Sequence, residues 1–245
     1  MNKLFFFIII FLFLTNDFLA TYKKNKKNLT YVHISRTGGS SIEYEGYKNG
    51  FYWGKYYFYN NHMSLFNDLI IVLFNKNYKF ITNNYLIRLC FKPKKWKHHT
   101  PPKYLPYFYE NKNIFTIVRN PYDRLISAYK FVTNNTSIEG LNKFIKQNLS
   151  NYNNKTINDK TVSTIFIPQS EYLYKNITIL KYENLQQDFS KFLKENDIED
   201  IKLPRLNKTN KTDLSYKNIS NENLELINNL YYDDFMNFEY KIYEF

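Results

Sequence analysis

The chain has a single cysteine, Cys90, in 245 residues. That excludes an intramolecular disulfide framework and any zinc site built on cysteines. Glycine and proline are scarce, at 6 and 7 residues, which excludes collagen-like and Pro-rich low-complexity architectures. Arginine is scarcer still than the charge suggests. Lys and Arg together number 34, and only those at positions 36, 88, 119, 124 and 205 are Arg. No repeat at a fixed period is present. No apolar run reaches the ~20 residues that a membrane-spanning helix needs.

What remains describes a globular chain. The apolar fraction is 44% and the charged fraction 23%, enough to bury a core over one large domain or two small ones. The net charge of +12 favours polyanionic partners such as nucleic acid, acidic glycan, anionic membrane or a multiply phosphorylated nucleotide. Asn is the most frequent residue, beside abundant Lys, Ile, Phe and Tyr. This is the composition of an AT-rich coding sequence, so charge alone does not select a partner.

The N-terminus differs in kind from the rest. Leu4 to Leu14 is an unbroken apolar run behind Lys3, of the length of a secretory h-region. Ala20 is a small residue at a cleavage position, but Phe18 is not, and Lys23, Lys24, Lys26 and Lys27 follow directly. The segment therefore reads as either a cleaved signal or a signal-anchor, with a buried helix as the remaining reading. Nine Asn-X-Ser/Thr sequons, at Asn28, Asn134, Asn135, Asn148, Asn154, Asn176, Asn207, Asn210 and Asn218, agree with a secretory route. The expected organisation is a targeting segment over 1–20, a basic linker over 21–30 and one domain over 31–245.

Chemistry gathers in two stretches. The first, Tyr31 to Glu43, reads YVHISRTGGSSIE. Tyr31 to Ile34 alternates and is β-branched, as a strand should be. Ser35, Arg36, Thr37, Gly38, Gly39, Ser40 and Ser41 then form a tight polar loop, in which Ser40 or Ser41 can cap a following helix. A Gly pair between strand and helix lets backbone N–H groups approach an anion at the helix N-terminus, and Arg36 supplies a full charge. The loop lacks the second Gly and the Lys of a P-loop.

The second stretch, Asn113 to Tyr129, reads NIFTIVRNPYDRLISAY. Ile114 to Val118 is a near-continuous apolar run, the pattern of a buried parallel strand. Asn120 caps a helix with Pro121 at its first position, and Asp123 stands where a capping box would reach back. Arg119 then lies at the carboxyl end of a strand, where open α/β sheets bind ligands. Ser127 sits two turns into the helix. Taken alone, the stretch is a capped helix whose Arg119 and Arg124 make surface ion pairs.

Taken together, the two stretches resemble the nucleotide-binding motifs of sulfotransferases that use 3′-phosphoadenosine 5′-phosphosulfate (PAPS). They are most similar to the membrane-bound, carbohydrate-directed branch, whose loop runs approximately H-I-P-K-T-G-G-T-S. The resemblance implies that the loop Ser35 to Ser41 holds the 5′-phosphosulfate. It also implies that Arg119 and Ser127, matching the leading Arg and the Ser of R-N-P-x-x-R-x-x-S-x-Y, hold the 3′-phosphate. Two residues depart from the family pattern: Arg36 replaces its Lys and Ser35 its Pro. Weaker matches lie at Pro168–Tyr174, Ile179–Phe189, LPRLNKT and the final YYDDFMNFEY. Glu183, within them, is either structural or part of the site.

Sulfuryl transfer to an alcohol needs a base for the hydroxyl proton, a charge clamp on the leaving phosphate and in-line positioning. The imidazoles between the two motifs are His62, His98 and His99, and an unperturbed imidazole titrates near neutral pH. KWKHHTPPKYL puts two histidines before a Pro-Pro break. The resemblance implies a catalytic His in this interval, His99 first and His98 second, with Arg36 as the loop cation. His33 reads as a core or supporting histidine. The aromatic stretch Tyr44 to Tyr59 either lines an acceptor cleft, packs in the core or forms a lid. Leu65 to Phe91 reads as helical.

The expected fold is three-layer α/β/α around a parallel sheet, similar to P-loop nucleotide-binding proteins. The expected function is sulfuryl transfer from PAPS to a hydroxyl, on a glycan or glycoprotein, without metal or nucleic acid. The site is the Golgi membrane (type II) or the secreted space. Two rivals stay open: a P-loop kinase-like phosphotransferase, which lacks its Walker Lys here, and a non-catalytic glycan- or polyanion-binding module on the same fold.

Overall fold

A computed structural model describes residues 29–49, 51, 53, 99–104, 106–150, 152, 164–203 and 213–244. The expectations on Leu4–Leu14, His62, Leu65–Phe91 and His98, and those on half of Tyr44–Tyr59, lie outside these residues. Three parallel strands form the sheet in the order β1 (Leu29–Val32), β2 (Asn113–Val118), β3 (Thr178–Lys181). Tyr31 stands opposite Phe115, and Phe115 opposite Thr178. β1 begins at Leu29, so Leu29 and Thr30, both buried, belong to the sheet and not to the linker before it.

The middle strand explains the layering. Its residues are apolar on both faces because helices cover both. Phe115 and Ile117 join Leu29, Tyr31 and Leu180 on one face. Ile42 of α1 (Gly39–Lys48) and Phe189, Phe192 and Leu193 of α5 (Leu185–Glu195) pack there. Ile114 and Val118 face the other way with Val32 and Ile34. They meet Tyr109 of the short helix α2 (Pro106–Tyr109), together with Ile167, Tyr172 and Phe238. A further cluster joins α3 (Pro121–Thr133) to α4 (Ile138–Leu149), α6 (Asn221–Leu230) and α7 (Tyr232–Asn237) through Leu125, Tyr129, Leu141, Ile145, Ile227 and Phe235. The α/β architecture with a parallel sheet is the expected one.

Part of the aromatic stretch is settled by packing. Phe51 and Trp53 are buried and stacked at 5.0 Å, and Trp53 meets Phe115 and Phe189 edge-on. The Trp53 carbonyl also accepts from the Tyr31 N–H at 2.7 Å. These two side chains are core and do not line a cleft. Among the described residues, no helix is long and apolar enough to cross a membrane.

Candidate functional site

The second motif folds largely by its own local rules. Asn120 Oδ1 accepts from Tyr122 N, Pro121 opens α3, and Asn134 closes it in the left-handed conformation. One expectation is corrected. Asp123 does not reach back to the Asn120 N–H; Glu183 Oε1 takes it at 2.8 Å, and Tyr240 donates to the same carboxylate. Glu183 thereby fixes the start of α3 from the end of the neighbouring strand β3.

The first motif is shaped from outside. α1 starts at Gly39, so Ser40 and Ser41 sit inside its first turn and do not precede it as caps. Gly38 has φ +87, and a Cβ there would lie 3.0 Å from the Tyr182 ring. A Cβ on Gly39 would lie 2.5 Å from the Tyr31 hydroxyl and 2.6 Å from His33 Nε2. The first glycine supplies the backbone turn, and the second lets the helix start press on the strand. Thr37 is fully buried and donates inward to the Ile34 carbonyl at 2.9 Å, bracing the turn. The buried Ser35 hydroxyl has no hydrogen-bond partner among the described residues.

The two loops meet at the carboxyl ends of adjacent strands. Arg36, with φ 68, extends to Ser127: Nε and Nη2 donate to its Oγ at 3.3 and 3.1 Å. Arg119 Nη1 donates to the Arg36 carbonyl at 3.3 Å. Each guanidinium lies over an aromatic ring at 4.2 Å, Arg36 over Phe131 and Arg119 over Tyr182. Burial, and after it the charge of Arg119, hold Arg36 down to about 10. Neither arginine forms an ion pair among the described residues, and Arg119 Nε is buried without a partner. Hydrogen-bond donors therefore outnumber acceptors here, and a bound anion would supply what is missing.

His99 is tied to the first loop. Its Nδ1 lies 3.1 Å from the His33 carbonyl, and its own carbonyl accepts from Tyr172 at 2.8 Å. A carbonyl only accepts, so Nδ1 carries the proton and, in the neutral ring, the lone pair sits on Nε2. The His33 ring meets His99 edge-on at 4.4 Å, and its Nδ1 pairs with the buried Glu43 carboxylate at 3.2 Å. His33 is thus buried, between the Glu43 carboxylate and the His99 ring.

Three further residues hold this arrangement together, and none of them is read from sequence as part of the site. Arg124 is buried, against its reading as a surface ion-pair residue. It donates to the carbonyls of Ser35, Ile165 and Ile167 at 2.8–3.1 Å and lies 4.0 Å from Asp234. Gln169 clamps the Arg119 backbone on both sides, accepting from its N–H and donating to its carbonyl. Asp234 accepts from the backbone N–H groups of Gln169 and Ser170. Burial pushes its carboxyl up, while Arg124 and those two N–H groups pull it down. A signal for Arg124 was present: in a Lys-rich chain, three of the five arginines fall in these two motifs.

Among the described residues, no group of three or more His, Cys, Asp or Glu could hold a metal ion. A family model described as the Sulfotransferase family matches residues 22–241. No curated protein and no solved structure matches the chain.

Proposed function

The chain belongs to the sulfotransferase family, and from that premise we propose that it moves a sulfuryl group from PAPS to a hydroxyl of a glycan or glycoprotein. The observation that carries the donor is the meeting of Arg36, Ser127 and Arg119 at the ends of β1 and β2. Buried donors left unpartnered at Ser35 and Arg119 fit a multiply charged anion. Arg119 and Ser127 hold the 3′-phosphate. The loop Ser35–Ser41, the N-terminus of α1 and the charge of Arg36 serve the 5′ end.

In the transfer, the acceptor oxygen bonds to sulfur as the bond from sulfur to the 5′-phosphate oxygen breaks. His99 Nε2 takes the acceptor proton, its tautomer fixed by the His33 carbonyl. The positive charge at the loop stabilises the phosphate as it departs. Glu43 holds the His33 ring, and that ring packs edge-on against the imidazole of His99.

The net charge of +12 is compatible with an acidic acceptor chain, as with any polyanion, and does not select one. The apolar run behind Lys3 and the sequons support a place in the secretory pathway, with membrane attachment if the segment is retained. Of the sequons described, Asn134, Asn135 and Asn176 are exposed. Expression in a eukaryotic cell followed by endoglycosidase treatment checks this: a mobility shift is expected, and an unmodified cytosolic product would contradict it.

The test of the function is transfer of labelled sulfate from PAPS to a panel of glycans, with chelator present. Label should reach at least one acidic polysaccharide with the wild type and be nearly lost in His99→Ala. Label that never leaves the nucleotide with any acceptor would sink the proposal.

A further inference from the structure

We propose that Arg36 takes part in reading the 3′-phosphate of the donor nucleotide, beside Arg119 and Ser127, and so helps the enzyme tell a 3′-phosphorylated nucleotide from one without that group. This rests on the nucleotide reading above and refines it, because the loop carrying Arg36 was expected to serve only the 5′ end.

The side chain is where such a role needs it. A left-handed backbone at Arg36 accompanies a guanidinium that reaches the second motif. Two of its N–H donors meet Ser127 Oγ. A serine oxygen has two lone pairs and one proton, so accepting twice from Arg36 leaves the hydroxyl to act as a donor. That proton has no acceptor among the described residues. Phe131 holds the guanidinium plane from the other side at 4.2 Å, and Arg119 ties itself to the Arg36 carbonyl.

Charge matching points the same way. Two guanidiniums share one neighbourhood without an ion pair among the described residues, and burial, with the proximity of Arg119 after it, already lowers the basicity of Arg36. A terminal phosphate monoester carries close to two negative charges at neutral pH. A phosphosulfate carries a similar total, but one charge sits on its phosphate and one on its sulfate, whereas the monoester gathers both on a single phosphorus. Two guanidiniums converging beside Ser127 match the gathered charge. A lysine at position 36 could supply a point charge but not the fork that meets Ser127.

The experiment is calorimetric titration of the full chain, with chelator, using adenosine 3′,5′-bisphosphate and adenosine 5′-monophosphate. The wild type should prefer the bisphosphate. In Arg36→Ala the bisphosphate should weaken roughly 10- to 100-fold, the range of a charge-assisted contact, and the monophosphate clearly less, so that the preference shrinks. Arg36→Lys retains one charge and decides the matter if the alanine variant does not fold. It should also fall short of the wild-type preference. Equal losses for both nucleotides in Arg36→Ala, or an undiminished preference in Arg36→Lys, overturn the inference while leaving the nucleotide site standing. A wild type that binds neither nucleotide, or both alike, overturns the nucleotide reading itself and this inference with it.

Discussion

The two strand–loop–helix units that build the site are held by different means. The helix of the β2–α3 unit carries its own terminal devices, Asn120 at the cap, Pro121 at the first turn and Asn134 at the end, while Gln169 and Glu183 clamp the loop before it. The β1–α1 unit has one local brace, Thr37 on the Ile34 carbonyl. Its loop is set by Arg124 on the Ser35 carbonyl, Arg119 on the Arg36 carbonyl, Tyr182 against Gly38 and His33 against Gly39. The difference has a functional consequence. The second motif brings its own helix start to the site, and the first loop takes its shape mostly from residues distant in sequence.

The sharpest way to break this asymmetry is to remove the brace that holds the first loop. Arg124 is buried and satisfies three carbonyls beside Asp234. Arg124→Ala should cost about 3–5 kcal/mol, because it leaves the Asp234 charge and those carbonyls uncompensated. Urea unfolding measures the loss, and a cost below ~1 kcal/mol would mean the loop holds itself. Catalysis should depend on the same loop through His99. His99→Ala should lower turnover by ~10²–10⁴-fold with nucleotide affinity nearly unchanged. Wild-type activity should fall on the acid side as the imidazole gains its proton, and the variant should lose that limb. An acid limb that survives in His99→Ala and vanishes in His98→Ala would move the base to the neighbouring histidine.

Smaller effects sharpen the comparison from the other unit. Arg119→Ala should weaken binding of adenosine 3′,5′-bisphosphate by about 1.5–3 kcal/mol, and Ser127→Ala by about 0.5–1.5 kcal/mol, since one contact is charge-assisted and the other neutral. Unchanged affinity in both folded variants would reduce the second motif to a capped helix. The smallest effect is expected at the cap. Asn120→Ala should cost about 0.5–2 kcal/mol of stability, read by chemical denaturation, with binding weakened only as far as the start of α3 frays.

The same asymmetry explains what could be read from the amino-acid order. The cap, the first-turn proline and the buried strand at Ile114–Val118 rest on local pattern, and the structure has them; that the two loops belong to one site follows from the family resemblance and not from local pattern. The helix α1 starts at Gly39 and not after Ser40 or Ser41, because the loop turns at Gly38 against Tyr182, far along the chain, and Gly39 presses on Tyr31 and His33. Asp123 fits the spacing of a capping box, yet Glu183, 63 residues from Asn120, reaches the N–H instead. Gln169 and Asp234 were invisible for the same reason. A glutamine that clamps both sides of a distant peptide bears no local periodicity, and a buried aspartate beside an arginine looks like any surface pair until the fold brings them together.

The central claim is that two loops form one site for a 3′-phosphorylated nucleotide, and nucleotide choice in a thermal-shift assay tests it most directly. Adenosine 3′,5′-bisphosphate in the presence of chelator should raise the melting temperature of the full chain, by the equivalent of about 2.7 kcal/mol at a hundredfold excess over its dissociation constant. Mg-ATP and free glycan should each raise it far less. Stabilisation by Mg-ATP with none by the bisphosphate would indicate a kinase-like phosphotransferase, stabilisation by glycan alone would indicate a binding module, and either result would contradict the assignment.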